Sequence, residues 1–156
     1  MNEDKLAKNI EGMELENLDT ILRGINFLSR FSLSELEKLI AKLKKTSFKK
    51  GTVVVREGEE GDFFYFVSKG KVSVWIKKGL GKKLLKNLGP GEYFGEMALL
   101  AGGKRNATVI VDEDADLFVL SREDFRNMLF ENPSLTKMVI STSDTRKAEI
   151  IREKGK

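Results

Sequence analysis

The chain has 156 residues, carries a formal net charge of +4 and contains neither cysteine nor histidine. That length suits about one domain around a single core, and the missing residue types exclude thiolate and imidazole metal sites, haem ligation, Ser-His-Asp triads and cysteine nucleophiles together. The charged start MNEDKLAKNI has no apolar stretch behind it, and the longest apolar cluster, Phe63 to Val67, is far too short to span a bilayer, so a cytoplasmic protein that does not enter a membrane is expected.

In chain order, residues 4 to 28 carry a loose apolar pattern interrupted by Gly12 and Gly24, which reads as two short helices. Ser32 and Ser34 are each followed three residues later by Glu, and Leu33, Leu36, Leu39, Ile40 and Leu43 fall on one face, the pattern of a capped amphipathic helix. From Thr46 to Leu120 the texture changes to short β-rich runs separated by glycines, including Gly51, Gly58, Gly61 and Gly70. Such runs predict a β-roll or jelly roll rather than a βαβ sheet. The aromatic run Phe63, Phe64, Tyr65 and Phe66 is read as core and strand surface. SREDF then opens a helix with Ser121 as N-cap and Phe125, Met128 and Leu129 inward. Asn132-Pro133 ends it, and Pro133 starts a last helix in which STSDT, residues 141 to 145, is poor helix material. The expected organisation is a mainly β fold with flanking α: a helical segment over residues 1–45, a β-roll over 46–121 and C-terminal helices over 122–156.

One stretch carries chemistry. FGEMALLAGGKRNATVIV, Phe94 to Val111, places Glu96 directly after Gly95 and Arg105 nine residues later. A phosphodiester carries one negative charge, which a single Arg can neutralise through two parallel N–H donors without a metal. Gly95 lets a ligand approach the backbone, and a carboxylate accepts hydrogen bonds from a sugar hydroxyl. Together they suggest a hydroxyl and a phosphate close to each other in one small ligand, for which a cyclic nucleotide has the right shape. An isolated GE is more often a turn glycine with a capping acid, and an isolated KR a solvated loop. Here the two occur together in one short stretch. GGKR lacks the G-x-x-x-x-G-K-[ST] spacing of a Walker loop, so ATP hydrolysis has no support.

FGEMALL followed by R-x-A-T resembles the phosphate-binding cassette of the cyclic nucleotide-binding domain family. FKKGTVVVREGEEGDFFYFVSKGKVSVW, Phe48 to Trp75, is similar to that family's β-roll, and the likeness runs from about Leu22 to Val139. The resemblance implies that Glu96 accepts from the ribose 2′-hydroxyl and that Arg105 faces the cyclic phosphate. It implies backbone contacts from Gly95, Met97, Ala98, Asn106 and Ala107, a hydroxyl offered by Thr108, and a base lined by Val74 and Leu85. Two positions depart from the family pattern: Lys104 where proline is frequent and Asn106 where Ala, Ser or Thr is usual. In this family a hydroxyl at the latter position favours guanine and a small residue fits cAMP, whereas Asn, with both a donor and an acceptor, leaves the base open; the frequency of cAMP binding in the family alone makes cAMP the expected ligand over cGMP.

The expected function is therefore a non-enzymatic sensor with cAMP or cGMP as ligand and with no metal or other cofactor. Ligand binding would change the docking of the flanking helices, with Met138, Val139, Ile140, Ile150 and Ile151 as an apolar lid. A homodimer or an unidentified protein partner would read the change, without direct DNA binding. The alternatives are a ligand-free interaction module of the same fold and the sensor half of a transcription regulator. Arg105, as a loop residue awaiting its ligand, is expected to hold little of the core.

Overall fold

In the computed structural model, which describes residues 31–100 and 103–156, the chain enters a capped helix, α1 (Leu33–Ile40). The helices expected between residues 4 and 28 lie outside the described residues. Ser32 Oγ accepts from the Glu35 N–H at 3.1 Å and Glu35 Oε1 accepts from the Ser32 N–H at 3.4 Å, so each side chain satisfies a backbone donor that the helix start leaves open. Leu36, Leu39 and Ile40 are buried, and so is Leu43 just beyond the helix. Leu33 is exposed instead: as the first helical residue, its side chain leans toward the N-terminus, past the end of the core.

Six strands follow: β1 (Lys44–Phe48), β2 (Val53–Val55), β3 (Phe63–Lys78), β4 (Gly81–Leu88), β5 (Tyr93–Phe94) and β6 (Thr108–Ser121). They form one antiparallel sheet in the order β1-β6-β3-β4, with β2 added to β6 and β5 to β3. This is the β-roll with flanking helices that the glycine-punctuated runs predict. A short helix, α2 (Glu96–Leu100), links β5 toward β6, and α3 (Arg122–Glu131) and α4 (Pro133–Lys154) close the chain.

The period-2 alternation of β3 and β6 sends successive residues to opposite faces. Phe64, Phe66, Phe118 and Leu120 join a cluster with the helices, whereas Tyr65, Val67, Leu117 and Val119 join a second cluster inside the roll. Register shifts between Val67 and Val72 break the β3–β6 ladder. Gly70 lies within this irregularity rather than at a turn: its φ is +88°, and a Cβ there would stand 2.5 Å from the Asp114 carbonyl oxygen.

The chain-end helices start where the sequence signals them. Ser121 Oγ accepts from the Asp124 N–H, and Phe125, Met128 and Leu129 are buried. Asn132 serves two helices, donating its N–H to the Leu129 carbonyl and accepting from the Leu135 N–H at 3.1 Å. Beyond Pro133, α4 runs unbroken for 22 residues, with STSDT inside it. Two polar residues of that segment turn toward the rest of the fold: Thr142 is hydrogen-bonded to the Tyr93 hydroxyl and Ser143 is buried, while Ser141, Asp144 and Thr145 are exposed. Docking thus overrides low intrinsic propensity. No helix among the described residues is long and apolar enough to cross a membrane.

Candidate functional site

Gly95 turns the chain from β5 into α2 with φ +97°, where a Cβ would lie 2.8 Å from Arg105 Nη1 and 3.0 Å from the Phe63 carbonyl oxygen. Glu96, the first residue of α2, is 0% exposed. Its Oε1 accepts from Arg146 Nη1 of α4 at 2.6 Å, while Oε2 is buried with no hydrogen-bond partner among the described residues. A buried carboxylate is tolerable when it is paired and hydrogen-bonded. Here only one of its two oxygens is satisfied, which leaves an acceptor open to a hydroxyl donor.

Arg105 is 6% exposed. Its backbone is pinned on both sides: its N–H donates to the Glu59 carbonyl at 2.7 Å and its own carbonyl accepts from the Gly58 N–H at 2.9 Å. The guanidinium donates through Nη1 to the Gly95 carbonyl at 3.1 Å and through Nη2 to the Phe63 carbonyl at 2.8 Å, and it stands over the Tyr65 ring at 5.8 Å. Gly61 packs so closely that a Cβ there would be 2.5 Å from Arg105 Nε. Burial pushes the guanidinium below its ordinary range, with Tyr65 and Asp62 opposing, yet an Arg remains a cation throughout. This corrects the expectation of a loosely held loop residue: Arg105 joins Gly95 to the start of β3 before any ligand is considered.

Gly95, Glu96, Met97, Ala98, Arg105, Asn106, Ala107, Val74 and Leu85 line a single cavity inside the roll, walled by Val55, Leu88, Phe94 and Val109. Thr108 does not line it. Its hydroxyl accepts from the Glu57 N–H at 3.0 Å, tying the start of β6 to the loop after β2.

Besides those apolar walls, the cavity is lined by Lys86 on β4 and Arg146 on α4, neither of which was singled out from the sequence, and by Ile150 on α4. Ile150 is the member of the expected apolar lid that lines the cavity. Val139 and Met138 belong to the helix-side core, and Ile140 and Ile151 are exposed. Arg146 also lies over the Tyr93 ring at 4.6 Å. Its pairing with Glu96 crosses fifty positions of sequence and leaves no local signal; the only hint is one cation four residues before the expected lid residue Ile150, on the same helix face.

The end of α4 is held to the β3–β4 hairpin. Lys78 Nζ donates to the Glu153 carbonyl at 2.9 Å, the Glu153 carboxylate pairs with Lys83 and Lys156, and Lys154 pairs with Glu57 at 3.1 Å. Hydrogen bonds from Lys83 and Lys156 hold the Glu153 carboxyl down to about 2.

Comparison with known proteins gives the same picture along the sequence. The pattern of the family described as the cyclic nucleotide-binding domain matches residues 45–132. Human cGMP-dependent protein kinase 2 is 38% identical over 113 residues, which cover 70% of this chain and 15% of the kinase. The cAMP-dependent protein kinase regulatory subunit of Candida albicans is 31% identical over 125 residues, covering 80% of this chain and 26% of that protein. The chain therefore spans a quarter or less of these curated relatives, to within a percentage point. Among solved structures, the regulatory domain of Toxoplasma gondii PKA with cAMP superposes with a TM-score of 0.77 at 26% identity, covering 92% of this chain and 52% of that one.

Proposed function

This chain belongs to the cyclic nucleotide-binding domain family, and from that premise we propose that it is a non-enzymatic sensor that takes a 3′,5′-cyclic purine nucleotide into the roll. The observation that carries the reading is Glu96 Oε2, a buried acceptor without a partner among the described residues, in the same cavity as a fixed guanidinium. A ribose 2′-hydroxyl supplies the missing donor, and the cyclic phosphate supplies an anion for Arg105. Glycines 95 and 61 keep the space around that guanidinium clear.

The helical lead-in, the roll over residues 46–121 and the helices over 122–156 act as one binding unit. Because Arg146 and Ile150 reach the cavity from α4, ligand and helix share a wall. A ligand that interacts differently with the docked and undocked positions of α4 shifts the balance between them. A second subunit or another protein then reads the position of α4. Asn106 offers both a donor and an acceptor and so leaves the base open; cAMP is the reading on family frequency alone, and the relatives include both cAMP- and cGMP-dependent proteins.

Calorimetric titration with cAMP and cGMP tests the reading, with one site per chain as the expected result. Absence of both heat and a thermal shift for either nucleotide at millimolar concentration would overturn it and leave an interaction module of the same fold.

A further inference from the structure

The β3–β4 hairpin ends in the turn Gly79-Leu80, between the register partners Lys78 and Gly81. Gly79 supplies a positive φ, +60°, for the turn. Leu80 brings nothing to it: turns favour Gly, Pro, Asn, Asp and Ser, and the Leu80 side chain is 111% exposed, standing clear of the fold.

One exposed leucine is ordinary on a protein surface. Here a face continues from it. Trp75 and Lys77 alternate along β3 with the buried Val74 and Ile76, so they point away from the interior of the roll. Across the ladder Trp75 pairs with Leu84, itself 41% exposed, and Lys77 pairs with Lys82, whose ammonium lies over the Trp75 ring at 4.8 Å. Ser73 Oγ already accepts from the indole N–H at 2.8 Å, so what the half-buried ring offers outward is apolar surface.

Cations collect around this face. Lys77, Lys78, Lys82 and Lys83 flank the turn; Lys154 joins them through Glu57, whose other carboxylate oxygen accepts from the Lys77 N–H, and Lys156 joins through Glu153, the partner of Lys83. Six lysines here meet two carboxylates, an excess of four positive charges, as large as the formal net charge of the entire chain. The remainder of the sequence is balanced, and this end carries the imbalance.

An apolar tip inside a collar of ammonium groups fits a partner that is anionic at one level and apolar just beneath it. A nucleic acid offers phosphates but no apolar depth for an aliphatic tip, and an acidic protein would need a socket shaped to a protruding leucine. A bilayer with anionic headgroups has both layers at every point of its surface. We infer that the outer face of the β3–β4 hairpin is a docking surface for anionic phospholipid membranes, with Leu80 entering the acyl boundary, the lysines among the headgroups and Trp75 at the interface. Such docking is peripheral, needs no spanning segment and does not depend on what the cavity holds.

The test uses the full chain with phosphatidylcholine vesicles, with and without phosphatidylserine, read by cosedimentation and by the emission of Trp75, the only tryptophan of the chain. Binding and a blue shift are expected with phosphatidylserine, with release on raising the salt to about 0.5 M, where screening shortens the reach of the charges to a few ångströms. Leu80→Ser keeps the charge and should weaken partitioning about tenfold or more, with an unchanged unfolding temperature because the side chain is fully exposed. Lys77→Gln and Lys82→Gln should each weaken it about fivefold, whereas Lys38→Gln and Lys137→Gln, exposed on α1 and α4, should leave it within about twofold. No binding to vesicles that contain phosphatidylserine, or equal binding without it, would overturn the inference. Equal losses from all four lysine variants would overturn it by reducing the effect to net charge. Leu80→Ser without effect would overturn it in favour of a general polyanion site, which binding of the parent chain to polyglutamate or to a single-stranded oligonucleotide would identify.

Discussion

The two faces of β3 and β6 come from alternate residues of the same strands, yet they are built to different ends. Toward the helices the strands present Phe64, Phe66 and Phe118, and Phe64 lies 4.6 Å from both the Phe66 and Phe125 rings. Large rings interlock and leave no room for a ligand. Toward the interior the same strands present mostly smaller residues, Val67, Val72, Val74, Val109 and Val111 beside Tyr65 and Leu117, and Val74 and Val109 wall the cavity that Glu96 and Arg105 also line. The contrast shows how one sheet can be stabilised on one face and kept receptive on the other.

The largest expected effect breaks the helix-side face. Phe64→Ala should destabilise the fold by about 3–5 kcal/mol in denaturant unfolding, while Val74→Ala on the cavity side should lose clearly less because it removes less volume beside an existing space. Comparable losses would erase the distinction between a filled face and a receptive one.

Next in size is Arg105→Ala. Losing a two-donor contact to a phosphate should lower cyclic-nucleotide affinity on the order of 100-fold, or about 3 kcal/mol. The same substitution should also destabilise the free protein by about 1–3 kcal/mol, because the Gly95 and Phe63 carbonyls lose their guanidinium donors. Titration and thermal unfolding of one variant check both figures. A variant that binds within about threefold of the parent would assign the phosphate to backbone amides alone, and one of unchanged stability would return Arg105 to the passive role expected from the sequence.

That second effect marks the limit of what the sequence reveals. Local devices were legible: the Ser32–Glu35 capping box, the Ser121 cap, the Asn132-Pro133 boundary and the Gly95-Glu96 turn each place donor, acceptor or φ within a few residues of one another. Strand alternation separated core from surface for the same reason. The partners of Arg105 were not legible, since the Phe63 carbonyl lies 42 positions away and backbone acceptors carry no residue-type signature. Arg146 was hidden twice, by its distance from Glu96 and by a weak-looking helix whose polar face becomes sensible only against Tyr93 and Glu96. Thr108 sits beside cavity residues in sequence, but its hydroxyl is directed to Glu57, a distinction of strand face and loop path.

A smaller effect separates the two ends of α4. Leu135 and Val139 pack into the aromatic cluster, whereas the last turns are held by Glu153 and its lysines. The Glu153 carboxyl titrates at about 2 in the fold against an ordinary 4.5, so its contribution is complete above 4.5 and is lost as pH falls from there toward 2. Amide exchange in the last turns of α4 should accelerate across that window, relative to the turns around Val139, and Glu153→Gln should flatten the difference. Uniform acceleration along the helix would mean that the clamp holds nothing of its own.

The smallest expected effect concerns Asn106. Asn106→Ala should lower the cGMP-to-cAMP affinity ratio by a few-fold without changing stability, because it removes a polar group from the cavity wall. An unchanged ratio in competition titrations would show that Asn106 contributes only its backbone.

β3 and β6 each run the full length of the sheet, 16 and 14 residues, and remain paired on both sides of the bulges. There is consequently no seam along which the receptive end could melt while the aromatic end stays folded, since every break in one strand is shared by both faces. Free energy gained inside the cavity is transmitted through continuous backbone to the helix-side cluster. A bound ligand should therefore raise the unfolding temperature of the whole described body as one transition, rather than adding a separate late-melting step.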